Sequence, residues 1–166
     1  MKRLALVAGL LATLTLPIAA QPKYTATVTA DKATDFAKIK TYVWQSGWEA
    51  NDKKVHAQIV AAVDRELKAL GLTLKPSGPS DVVVKYASLR RIDVQANASM
   101  QATASDVRGQ TEVGSLQVVM LQPGTGKELL RGRIDKPMEL GAEQVEAAIN
   151  AAVADIFAKY PTRVKK

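Results

Sequence analysis

Few side chains in this sequence are of types that do chemistry, and their spacing narrows the choice further. The single histidine, His56, stands beside Val55 at the edge of a helical apolar stripe, where an imidazole could act near neutrality as a lone acid or base. There is no cysteine and no second histidine in the 166 residues. Thiolate nucleophiles, disulfides and thiolate metal sites are therefore excluded, and any metal or catalytic role for His56 needs carboxylates brought in by the fold. A solvated helix edge is the simpler reading. Asp31, Asp35, Asp52, Asp64 and Asp81 form no tight cluster. Asp52 reads as a helix cap, Asp81 as the start of a strand, and Asp64, four residues before Lys68, as the solvated side of a helix. Gly124-Thr125-Gly126-Lys127 imitates a phosphate loop but lacks the four residues between glycines and the Ser or Thr after the lysine, so a hairpin turn is expected. No Gly-x-Ser-x-Gly elbow occurs. The sequence thus nominates no catalytic, cofactor-binding or metal-ligating residue.

Binding chemistry is what remains. Arg131 and Arg133 share one side of a predicted strand, and Arg90-Arg91 lies in another. If those strands are neighbours, they make a basic stripe suited to an anionic glycan, a phosphate or an acidic partner; a solvated sheet face is the simpler reading. Tyr42 and Trp44 share a strand face and are expected under a helix, whereas Trp48, just past Gly47, is the aromatic expected to be exposed. The candidate partner-binding set is Trp48, Arg90, Arg91, Arg131 and Arg133.

The elements that must position these residues follow from periodicity. Residues 24–29, with threonine at alternate positions, and 39–44 read as strands separated by a polar connector. Asn51-Asp52 caps a helix carrying Val55, Ile59, Val63, Leu67 and Leu70, which ends at Gly71. A short strand at 72–75 is broken by Pro76-Ser77-Gly78-Pro79. Val82, Val84, Tyr86, Ile92 and Val94 share one parity, predicting a long strand over 81–95 with a bulge near Arg90-Arg91. Residues 97–113, small and polar, predict a loop or a weak edge. Residues 115–122 and 128–134 flank a five-residue connection as a hairpin. A last helix, starting near Gly141, carries Val145, Ile149, Ala152, Val153, Ile156 and Tyr160 until Pro161 stops it. Two amphipathic helices and several half-apolar strands predict a two-layer α+β sandwich, with both helices on one face of a mainly antiparallel sheet.

The N-terminus carries an address. Lys2-Arg3, the uncharged apolar run from Leu4 to Leu16, Pro17 and then Ala19-Ala20 have the layout of a secretory signal peptide, with cleavage expected after Ala20. The apolar run is shorter than the roughly 20 residues of a membrane span. The domain organisation is then a leader at 1–20 and one α+β domain at 21–166, with its core at 24–161 and a basic tail at 162–166. Net charge is +7, but Lys2 and Arg3 leave with the leader and Arg163, Lys165 and Lys166 sit in the tail. A body so near neutrality argues against a nucleic-acid partner. Without cysteine there is no lipid-accepting residue, so no stable membrane anchor is expected after cleavage. The expected location is the periplasm or the exterior.

Several ordered segments resemble one family. Asp35-Phe36-Ala37-Lys38-Ile39-Lys40-Thr41-Tyr42-Val43-Trp44 is similar to the opening of the bacterial envelope family known as domain of unknown function 4136. Ala62-Val63-Asp64-Arg65-Glu66-Leu67, Ser80-Asp81-Val82-Val83-Val84 and Gly114-Ser115-Leu116-Gln117-Val118-Val119 follow in order. Gly126-Lys127-Glu128-Leu129-Leu130-Arg131-Gly132 resembles the family hairpin, with Leu130 where tryptophan is common, and Ile156-Phe157-Ala158-Lys159-Tyr160-Pro161 its ending. The resemblance implies an exported α+β domain, often a lipoprotein, and carries no activity and no site residues.

Together these readings predict an exported, noncatalytic domain that binds a protein or an anionic envelope component and needs no cofactor. The alternative is an envelope hydrolase acting on cell-wall or lipid material, with a carboxylate or serine site assembled only by the fold.

Overall fold

The computed structural model describes residues 25–96, 107–137 and 144–164, with side chains described in 25–92, 112–137 and 144–164. In chain order the elements are β1 (Thr27–Ala30), β2 (Thr41–Trp44), α1 (Lys53–Ala69), β3 (Thr73–Leu74), β4 (Val82–Ala96), β5 (Val107–Leu121), β6 (Glu128–Pro137) and α2 (Val145–Phe157), with a 3-10 turn at Phe36–Lys38. The expected leader and the start of the last helix near Gly141 lie outside the described residues. Among those described, no helix is long and apolar enough to cross a membrane.

Local chemistry sets the ends of α1. The Asp52 carboxylate accepts the Lys54 and Val55 N–H groups at 2.7 and 3.1 Å, supplying two donors that the first turn leaves without partners. At the other end Gly71 has φ 83°, which lets Leu72 N–H return to the Leu67 carbonyl and Gly71 N–H to that of Lys68. This reversal is the Schellman form of helix ending. Between the caps, Ile59, Ala62, Val63 and Leu67 are buried, and each large side chain so placed contributes about 1.5–3 kcal/mol of transfer free energy.

The strands form one six-stranded sheet in the order β1-β6-β5-β4-β2-β3. The pairs among β1, β6, β5 and β4 are antiparallel, whereas β2 runs parallel to both β4 and β3. The parallel pair β2 and β3 exists because α1 carries the chain back between them. Both helices cover one face. Tyr42 and Trp44 reach Asp64 of α1 on that face, and on the same face a Cβ at Gly132 would stand 2.2 Å from Ile156 Cγ2 of α2. Gly132 thus marks where α2 lies directly on β6. The α+β sandwich read from periodicity is the observed architecture.

Of the two readings offered for 97–113, the extended one holds from Val107: β5 runs unbroken to Leu121 and pairs with β4 from Ala96↔Val107 to Val83↔Leu121, with β6 joining it only from Val113; residues 97–106 lie outside the described part. The pairing of this polar start is supplied by β4 and not by an apolar pattern of its own. Two expectations are corrected. The irregularity in β4 falls between Val94 and Ala96, while Arg90 and Arg91 pair regularly with Gly114 and Val113. The connector before β2 is not wholly polar either. Phe36 within it is buried and meets Tyr160 edge to face at a centroid distance of 5.5 Å.

Candidate functional site

The helix-covered side of the sheet contains the polar groups that most resemble a catalytic set. Asp64, expected on the solvated side of α1, instead faces the sheet. Its Oδ1 accepts the Tyr42 hydroxyl at 2.7 Å and Trp44 Nε1–H at 2.8 Å. Burial, with the Asp64 carboxylate beside it, raises the Tyr42 phenol above its ordinary value. A groove of about 480 Å³ lined by Tyr42, Asp64, Arg65, Lys68, Leu72, Thr73 and Leu74 lies alongside. The Asp64 oxygen facing the sheet is committed to tying β2 to α1.

His56 is likewise no bare helix edge. Its Nδ1 lies 2.6 Å from the Tyr86 hydroxyl, which also accepts Ala50 N–H at 3.1 Å, and Glu49 is 3.6 Å away. This group fastens the segment that leads from β2 into α1.

That segment builds the other candidate, on the face without helices. In β2, Trp44 pairs with Val84, an offset of 40 residues; four residues later Trp48 pairs with Ala87, an offset of 39. One extra residue has entered the connector, the signature of a bulge. Gly47 makes it possible, because a Cβ there would stand 2.2 Å from the Tyr86 carbonyl oxygen. Without the bulge, Trp48 would share Trp44's face beneath the helices. With it, Trp48 shares the face of Ala87 and is 72% exposed.

Pairing then lays out rows across this open face. One runs Trp48, Ala87, Gln117, Arg133, Thr27; the next runs Lys85, Val119, Arg131, Thr29. At ordinary strand spacing the first row is about 19 Å long and the two are about 7 Å apart. A third row of Leu89, Ser115 and Asp135 lies beyond the first, and Val83, Leu121 and Glu128 lie beyond the second. Asp135 binds Arg133 and, across two strands, Arg91 at 3.0 Å. Burial pushes its carboxyl up, but the Ser115 hydroxyl and the two guanidiniums outweigh that and hold it below the usual carboxylate value. Glu128 pairs in the same way with Arg131.

Of the residues nominated from sequence, Trp48, Arg91, Arg131 and Arg133 are therefore brought to one face. Arg90 is not: strand alternation turns it to the opposite side, where it faces Glu112 at 3.6 Å. Lys85, Gln117, Thr27 and Thr29 were missed. Their signal was present, since each alternates with a buried or half-buried neighbour such as Val84, Val118 or Val28.

The chain matches the model of a family described as a domain of unknown function (DUF4136) over residues 26–162. It belongs to this family. All five nominated residues lie within the family match. The fold resembles that of a PDZ domain protein from Parabacteroides distasonis, with a TM-score of 0.58 and 16% identity, covering 86% of this chain and 36% of that one. This member of the DUF4136 family thus spans about a third of that protein's length. It also resembles the PelC dodecamer from Paraburkholderia phytofirmans, with a TM-score of 0.54 and 10% identity, over 86% of this chain and 99% of that one. At such identities the likeness is one of fold. No curated protein is a significant match.

Proposed function

We propose that this DUF4136 member is a noncatalytic binding module of the bacterial cell envelope, engaging an envelope protein or an anionic envelope component with its helix-free sheet face. The observation that carries the reading is the convergence of Trp48, Lys85, Arg131 and Arg133 on two adjacent rows of that face. The side chains nearest to a catalytic set, Asp64, Tyr42, His56 and Tyr86, are engaged with one another and with the backbone in holding the fold. The leader-like N-terminus supports export, and N-terminal sequencing of the cell-derived protein should then begin at Gln21.

The test is photocrosslinking in intact cells from a reactive residue at Gln117, in the middle of the open face, compared with one at Ala61, exposed on α1. Envelope components are expected to crosslink from position 117 and not from position 61. Equal yields from both, or none from position 117, would remove the reading.

A further inference from the structure

We propose that the open face binds an acidic polysaccharide, laid across the strands along the two rows that begin at Trp48 and Lys85. The inference rests on the binding reading above and names its ligand class. Charge complementarity is the first argument. The two rows carry Lys85, Arg131 and Arg133 and no carboxylate, because Glu128 and Asp135 stand in the rows to either side. Lys85 has no ion partner among the described residues. Arg131 spends Nε and Nη2 on Glu128, and Arg133 spends the same two nitrogens on Asp135. Each guanidinium is thereby oriented and keeps the donors of Nη1 for a second acceptor. A planar fork held on one edge and open on the other suits a ligand carboxylate.

The second argument is the neighbourhood of Trp48. Its indole is 72% exposed, and the next position in its row, Ala87, ends at Cβ. The space beside the ring is therefore open to a flat apolar surface, such as one face of a sugar ring. Gln117, Thr27 and Thr29 add an amide and two hydroxyls along the same rows, matched to the donors and acceptors of a glycan. A protein partner calls for a different surface, with a buried apolar centre and several aromatic anchors. Here the apolar positions of the two rows besides Trp48 are only Ala87 and Val119, both half-buried. A polar, ribbon-like ligand fits the geometry better.

The experiment titrates the chain from Gln21 onward with oligogalacturonate, with a neutral cello-oligosaccharide and polyglutamate in parallel, by calorimetry and tryptophan fluorescence. Oligogalacturonate is expected to bind, and more weakly as salt rises. The Trp48→Ala variant and the Arg131→Gln/Arg133→Gln double variant should each weaken it by about tenfold or more while melting at the wild-type temperature. Should either variant lose stability, Trp48→Leu and Arg131→Met/Arg133→Met, which keep side-chain bulk while removing the flat ring and the charge, give the same comparison. Absence of binding, unchanged affinity in the variants, or equal binding of polyglutamate would overturn the proposal. Crosslinking of a protein from position 117 without polysaccharide binding would also overturn it, while leaving the envelope-binding reading in place.

Discussion

Along β4, β5 and β6, neighbouring residues live in different worlds. Val84, Val118 and Ile134 are buried beneath the two helices, while Lys85, Gln117 and Arg133, one position away in each strand, carry the polar surface of the opposite face. On the covered side, the Asp64 carboxylate is satisfied at close range by Tyr42 and Trp44. On the open side, charges are paired only in part and in water, where an ion pair adds little to stability. The contrast teaches that at these positions stability and recognition are separated by the pleat of one sheet, so substitutions at Val84, Val118 or Ile134 should act on melting and those at Lys85, Arg131 or Arg133 on binding. Gly47 is the exception, since it belongs to the bulge that moves a tryptophan from one side to the other.

The largest effect should come from the covered side. Leu67 is fully buried, and Leu67→Ala should lower stability by about 2–5 kcal/mol, read in a denaturant melt. Gly47→Ala comes next, because its Cβ meets backbone and not a flexible side-chain end. A loss of about 1–3 kcal/mol is expected, together with a changed response of Trp48 to iodide quenching in a Trp44→Phe background. A stable Gly47→Ala protein with unaltered quenching would break the account of the bulge.

Asp81 should respond to pH. Its Oδ2 accepts Lys40 N–H at 2.9 Å, Thr41 N–H at 2.8 Å and the Thr41 hydroxyl at 2.9 Å, joining the start of β2 to the start of β4. These bonds, with the Lys40 N–H foremost, lower its folded pKa. Its contribution is therefore present above the unfolded value, about 3.9, and is lost as pH falls through the lower folded value. Asp81→Ala should cost about 1 kcal/mol at neutral pH, as the loss of a capping carboxylate does, and should show a smaller further loss on acidification. A melt series from neutral pH to acid checks both. The smallest effect belongs to the open face, where Arg131→Gln/Arg133→Gln should change stability by no more than about 0.5 kcal/mol.

The elements were legible where periodicity and caps agree. The α1 stripe, Asp52, Gly71 and the shared parity of Val82, Val84 and Tyr86 all stand as read. The start of β5 was not legible, because residues 107–113 take their extended form from hydrogen bonds to β4. Asp64 was misread for a related reason. Its spacing to Lys68 fits a surface pair, and only the approach of β2 supplies the phenol and indole that turn it inward.

For the site, the residue types by themselves nominated the arginines and Trp48, and strand alternation already put Arg131 with Arg133. They could not divide Arg90 from Arg91 with respect to that pair, since this requires knowing that β4 reaches β6 through β5 and in what register. Nor could they part Trp44 from Trp48. Four residues apart in an extended chain, the two belong on one side; a single inserted residue, tolerated because Gly47 has no Cβ to strike the Tyr86 carbonyl, sends them to opposite sides. Which side chains alternate within each strand follows from residue order alone, because alternation is local geometry. Which strands adjoin, and in what register, was decided only by long-range hydrogen bonding and packing, and that decision assembled the open face.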